Sequence, residues 1–114
     1  ALEKLKEDNK IRYIGITGLH LSQLDYVIKK SNVKIDTVLT YCNYTLFNDT
    51  LNLYSKDWVG MGIKIIQGGV TSMGLLTNKG PQDWHPAPSL IKNTCKEVVN
   101  NCIQKKNKYN RNSL

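Results

Sequence analysis

The sequence reads as an α/β protein with parallel strands. Stretches rich in β-branched and aromatic residues alternate with stretches of helical periodicity, and connections of that kind pair strands in parallel through right-handed crossovers. About three strands are present, which leaves two unpaired edges; doubly wound sheets use about five strands and closed barrels eight. The chain is therefore expected to be part of a larger sheet.

Each element has its own signal. Leu2 and Leu5 mark the apolar side of a short opening helix that breaks near Asp8-Asn9. Ile11 to Thr17 reads as a strand. Ser22 and Asp25 form a Ser-x-x-Asp capping pattern, and Leu21, Leu24, Val27 and Ile28 follow at helical spacing until Ser31-Asn32. Ile35 to Tyr41 is a second strand. A weaker helix is expected over 48–56, and Met61 to Ile66 is a third strand delivered into Gln67-Gly68-Gly69-Val70-Thr71-Ser72. A long loop through Gly80-Pro81-Gln82-Asp83-Trp84-His85-Pro86 comes next. The final helix carries Ile91, Cys95, Val98, Val99 and Cys102 on one stripe. The Lys/Asn-rich end, Lys105 to Leu114, has little to bury and is expected to fray.

Composition narrows the class. At 114 residues the chain is the size of one small domain, and 40% hydrophobic with 22% charged residues is a globular balance. No apolar run approaches the roughly 18 residues of a membrane span, and residues 1–8 lack the apolar core of a signal peptide. With no Met at position 1, the chain reads as entered mid-stream. Of the net charge of +7, five units come from Lys92 onward, where six basic residues face Glu97 alone. That is a basic helix and tail rather than a stripe interleaved with aromatics, so a solvated terminus is expected and nucleic acid is not. Cys95 and Cys102 lie about 10.5 Å apart along a helix, too far to bridge. With Cys42 they make three thiols expected to be reduced in a cytoplasmic protein, and no Cys/His cluster suggests a metal. The sequons at Asn43 and Asn48 are expected to be incidental.

Chemistry in parallel α/β proteins gathers at the carboxyl ends of strands. Here these are Thr17-Gly18, Tyr41-Cys42-Asn43 and Gln67 to Ser72. Small residues there admit a ligand close to the backbone, yet ordinary turns and caps need the same residues, so composition leaves both readings open. Gly68-Gly69 lacks the Lys-Ser/Thr ending of a phosphate loop. His20 and His85 have no Ser, Cys or acid at a catalytic spacing and read as loop or cap residues. Trp84 suggests a loop that either lines a pocket or packs down.

Three blocks go further. Lys10 to Thr17, Val38 to Tyr44, and Ser72-Met73-Gly74-Leu75-Leu76-Thr77 with Gly80 to Ala87 resemble the aldo-keto reductase superfamily, and within it the L-galactose dehydrogenase branch. The resemblance covers residues 1–105 and leaves 106–114 as a basic tail. It implies part of a TIM (β/α)8 barrel, about strands five to seven, from an NAD(P)-dependent oxidoreductase acting on a sugar or small carbonyl or alcohol. The family's catalytic tyrosine, lysine, histidine and aspartate precede these residues, so no catalytic residue is assigned and the chain alone is expected to be inactive.

The same resemblance implies the cofactor contacts. Thr17 keeps the hydroxyl of the family's Ser-Asn pair after strand five, while Gly18 stands in place of the amide. Tyr41 falls where a glutamine commonly holds the nicotinamide carboxamide. Gly68 occupies the position of a stacking aromatic, as this branch tends to have. Gly69-Val70-Thr71 replaces Ser-Pro-Leu, leaving Gly69, Thr71 and Ser72 as the remaining cofactor-binding candidates. NAD is favoured over NADP by the branch resemblance. A non-catalytic remnant, self-associating through the exposed sheet edges, is the alternative.

Overall fold

The computed structural model describes residues 1–111, with side chains through Lys106. The elements run α1 (Leu2–Glu7), β1 (Gly15–Gly18), α2 (Leu21–Lys30), β2 (Thr37–Tyr41), α3 (Asn52–Gly60), β3 (Lys64–Gly68) and α4 (Ser89–Arg111). The strands form one parallel sheet in the order β1-β2-β3. This is an α/β arrangement consistent with part of a (β/α)8 barrel. The chain divides into two compact units, Ala1–Val70 and Thr71–Leu114.

In the first unit the sheet buries one face. Val38 and Thr40 are fully enclosed, and Ile16 and Ile65 pack with them toward α2 and α3. The core adds Ile14, Leu21, Leu24, Ile35, Leu51 and Ile63 around Trp58, the largest residue with no exposed surface. The indole Nε1 donates to Asp25 Oδ1 at 3.0 Å, and Asp25 Oδ2 accepts from Lys29 Nζ at 2.7 Å. One carboxylate of α2 thus holds the buried ring of α3. The opposite face is open: register aligns Thr17, Leu39 and Ile66 in one row and Tyr41 with Gly68 in the next. Leu39, Tyr41 and Ile66 are all exposed.

The strands begin later than the residue pattern suggests, for local reasons. β1 starts at Gly15 rather than Ile11, because the ladder begins with Gly15 opposite Thr37. The preceding backbone is held otherwise: Lys10 and Ile11 amides donate to Leu5 O, and the Ile14 amide donates to Asp36 Oδ2 at 2.9 Å. β3 starts at Lys64 rather than Met61, because α3 runs on to Gly60. Gly62, at φ 80°, closes α3 in a Schellman turn, its amide donating to Val59 O while the Ile63 amide donates to Trp58 O. α3 in turn starts at Asn52, not Asn48. The Asn48 side chain accepts from the Thr50 amide and hydroxyl, a turn that competes with helix.

Two further expectations are corrected. Ser22 does not cap α2; His20 occupies the cap position with no side-chain bond, and Asp25 is spent on Trp58 and Lys29. The last helix continues past Lys105 to Arg111, while residues 112–114 of the expected frayed end lie outside the described residues. The opening helix does break at Asp8-Asn9, where Asn9 takes φ 57°. Among the described residues no helix is long and apolar enough to cross a membrane.

Trp58→Phe deletes the donor to Asp25 and leaves space where the larger, fully buried indole was. It is expected to lower stability by at least about 1.5–3 kcal/mol, the usual worth of a hydrogen bond to a charged group, read from urea midpoints at constant slope. The Lys29 ammonium and then the Trp58 indole hold the Asp25 carboxyl below its ordinary value. The Lys6 ammonium and then the Ile14 amide do the same for Asp36. Carboxyls depressed in the fold stabilise it above their unfolded value, near 3.8, and lose that contribution as pH falls through the folded value. Acid unfolding followed by circular dichroism should therefore set in below about pH 4, and Asp25→Asn should flatten the slope there.

Candidate functional site

The parallel register brings the carboxyl ends of all three strands to one edge. Gly18 lies opposite Thr40, and Tyr41 lies opposite Gly68. Thr17, Gly18, Tyr41, Gly68 and the following Gly69 therefore share this rim. Asn43 staples it, its Nδ2 reaching Leu19 O at 3.0 Å, Thr40 Oγ1 at 2.6 Å and Tyr41 O at 3.1 Å. Asn48 Nδ2 donates to Cys42 O at 2.8 Å. The amide nitrogens of both sequon asparagines are thus committed to loop structure.

The two glycines at the end of β3 are explained by what lies over them. A Cβ on Gly68 would come within 2.9 Å of the Tyr41 ring, and one on Gly69 within 2.6 Å of Cys42 Sγ and 3.1 Å of the same ring. Gly69 also takes φ 69°, which favours glycine. The Tyr41 ring lies against the Gly68-Gly69 backbone, with 39% of the residue exposed. Cys42 is itself left-handed at φ 55°, and its amide donates to Gly68 O at 2.9 Å. Burial pushes the Cys42 thiol up, so the group stays protonated and donates to Gly69 O at 3.5 Å.

Thr17 and Gly18 also line a cavity of about 270 Å³ between β1 and α2, with His20, Gln23 and Val27. His20, read from the sequence as a loop or cap residue, is the cap of α2; Gln23 was not singled out, because its place beside Thr17 depends on how α2 packs. Gln67 stands at the strand end expected for it. Its Nε2 donates to Gly68 O at 2.6 Å, while its Oε1 is buried with no partner among the described residues.

Thr71 and Ser72 belong to the second unit. Thr71 is exposed and its carbonyl accepts from the Leu76 amide at 3.1 Å. Ser72 is only 6% exposed, and its hydroxyl has no partner among the described residues. Ser72, Met73 and Gly74 are three successive left-handed residues, at φ 53°, 53° and 97°. For two residues with side chains this is a costly geometry that concentrates at functional positions. His85 is buried and braces the turn. The Ala87 amide donates to His85 Nδ1 at 3.1 Å, which leaves Nε2 to carry the proton and donate to Ser72 O at 3.2 Å. His85 is therefore a loop strut, and it rather than the exposed Trp84 packs down.

Residues 1–113 match the model of the aldo/keto reductase family. The chain belongs to that family. It is also 37% identical over 115 aligned residues to L-galactose dehydrogenase from Arabidopsis thaliana. The alignment takes in all of this chain but 36% of that protein, so the chain spans about a third of the length of the curated relative it matches. The family match includes the Lys/Asn-rich end beyond Lys105. In parallel α/β barrels chemistry gathers at the carboxyl ends of the strands, and in this chain those ends of β1, β2 and β3 form the rim described above.

Gly69→Ala tests the packing of the rim. The added methyl meets Cys42 Sγ in a left-handed backbone and should cost about 1–3 kcal/mol. In a Cys42→Ala background the same change should cost measurably less, because adjacent sites that share a clash are not additive. Equal costs in both backgrounds, by chemical denaturation, would place the strain elsewhere.

Proposed function

We propose that these residues serve an NAD(P)-dependent oxidoreductase that interconverts a sugar or another small carbonyl compound with its alcohol, L-galactose being the first substrate to try. The likeness across the whole chain to L-galactose dehydrogenase carries the reading. The chemistry a nicotinamide cofactor supplies when bound is hydride transfer. In this reading Thr17, Gly18, Tyr41, Gly68 and Gly69 of the first unit hold the cofactor. The exposed Tyr41 ring suits that task. NAD rather than NADP is the expected cofactor, on the branch resemblance. The proton donor lies outside these residues, so the isolated chain binds cofactor without turnover, and the working protein is cytoplasmic.

A second reading rests on the open face of the sheet. Leu39, Tyr41 and Ile66 form an exposed apolar patch on a sheet whose outer edges, on β1 and β3, pair with no other strand among the described residues, and surfaces of that kind mark association. Here the chain is a non-catalytic module that pairs with a copy of itself.

One set of measurements separates the two. Titration of NAD and NADP into the chain should show saturable binding that Tyr41→Ala weakens at least about tenfold, the scale of losing an aromatic contact and its burial. L-galactose with NAD should give no turnover. Binding unchanged by Tyr41→Ala would overturn the cofactor assignment. A stable dimer by light scattering that dissociates on Ile66→Lys, together with no cofactor binding, would establish the second reading.

A further inference from the structure

The second unit buries little. Among its described residues only Leu75, Cys95, Ser72 and His85 are buried, so half of that small interior is polar and depends on hydrogen bonds. His85 supplies three of them: its amide donates to Gln82 O at 3.0 Å, its Nδ1 accepts from the Ala87 amide at 3.1 Å and its Nε2 donates to Ser72 O at 3.2 Å. The last of these spans the loop. Among the described residues it is the one hydrogen bond that joins the turn at 71–77 to the segment 82–88.

The turn it holds is not one that the chain adopts freely. Ser72 and Met73 carry side chains in the left-handed region and Gly74 follows them there, a run that surrounding structure must impose. Ser72 O also accepts from the Leu75 amide at 3.2 Å, and Thr71 O from the Leu76 amide at 3.1 Å, but both bonds end within the turn. The Ser72 hydroxyl, buried without a partner among the described residues, adds nothing. His85 is the tie between a strained turn and the rest of its loop.

These bonds require a neutral ring. An imidazole that accepts at Nδ1 and donates at Nε2 carries one proton; a second would sit on Nδ1 and turn an N–H toward the Ala87 N–H. No counter-charge would answer it. The other ionisable side chains of the loop are Lys79 and Asp83, and those of the described part of α4 are Lys92, Lys96, Glu97, Lys105 and Lys106 with the Cys95 and Cys102 thiols. None forms an ion pair with His85, and the ion pairs among the described residues all lie in the first unit. A buried cation without a partner is costly, whereas a solvated imidazole takes up its proton at about pH 6.5.

We infer that His85 is a pH-sensitive latch: neutral, it pins the turn at Ser72–Gly74, and protonated, it lets that turn go. The latched loop holds one proton fewer than the released one. Latching is therefore fully favoured above the ordinary imidazole range and is lost as pH falls below it. Each further unit of pH raises the released fraction about tenfold, the effect of one proton. The inference does not depend on the oxidoreductase reading.

Hydrogen exchange of the full chain, followed by NMR from about pH 7.5 to about pH 5, tests the latch across the range in which histidine titrates. With each rate divided by the intrinsic rate at that pH, protection of the Leu75 and Leu76 amides is expected to fall about tenfold per unit below about pH 6, while the amides of β2 keep theirs. His85→Gln, whose amide can still donate toward Ser72 O and has no proton to gain, should abolish the pH dependence. His85→Asn, which keeps an acceptor for the Ala87 amide but falls short of Ser72, should lower protection at every pH with no slope. His20→Gln removes the other histidine of the chain and should leave the fall intact. Protection that stays level throughout, or falls equally in His85→Gln, would overturn the inference. So would disappearance of the fall in His20→Gln, or loss of helical circular dichroism over the same range, since the whole unit would then be unfolding.

Discussion

Everything in the first unit is referred to the burial of Trp58. The ring is fully enclosed beneath α2, α3 and the sheet, and a buried indole must satisfy its one donor. Asp25 does so from α2, and Lys29 on the same helix keeps that carboxylate charged. The orientation of α3 on the sheet is thereby coupled to that of α2. Where α3 ends follows from the same residue, since Trp58 O accepts the Ile63 amide in the turn that launches β3. The position of Gly68 and Gly69 at the rim thus depends on a contact at the far side of the sheet.

The alternation of elements was legible because it rests on periodicity. Ile35 to Tyr41 and Leu21 to Ile28 carry their patterns on their own residues, and both elements appear within or over those patterns, β2 starting at Thr37 and α2 running on to Lys30. Boundaries were less legible. Ile11 to Ile14 has strand composition but no register partner, and Asp36, a residue of no special pattern, takes the bonds a ladder would have made. The Ser-x-x-Asp pattern at α2 misled because the same aspartate has a better partner far away in sequence.

The rim was legible in part. Gly68 and Gly69 stand out as glycines, but their cause is the Tyr41 ring and the Cys42 thiol, which are distant in sequence. Thr17 and Tyr41 were reached through resemblance, and parallel pairing places both at the same edge as the glycines. Gln23 could not be reached in that way, and the place of His20 beside Thr17 could not either, because nothing in their spacing says what packs beside them.

Strand order has its own consequence. Because the described strands follow the order β1-β2-β3, β2 and β3 each dock on the strand made just before it, and neither of these pairings waits for a distant segment. Loop closure is then confined to single helix-length crossovers, the cheapest way to assemble a parallel sheet. A sheet of this kind grows by whole strand-helix steps at either margin without disturbing a register already set. Evolution can therefore lengthen, shorten or recombine such a protein in modular increments while the chemistry at the strand ends stays aligned.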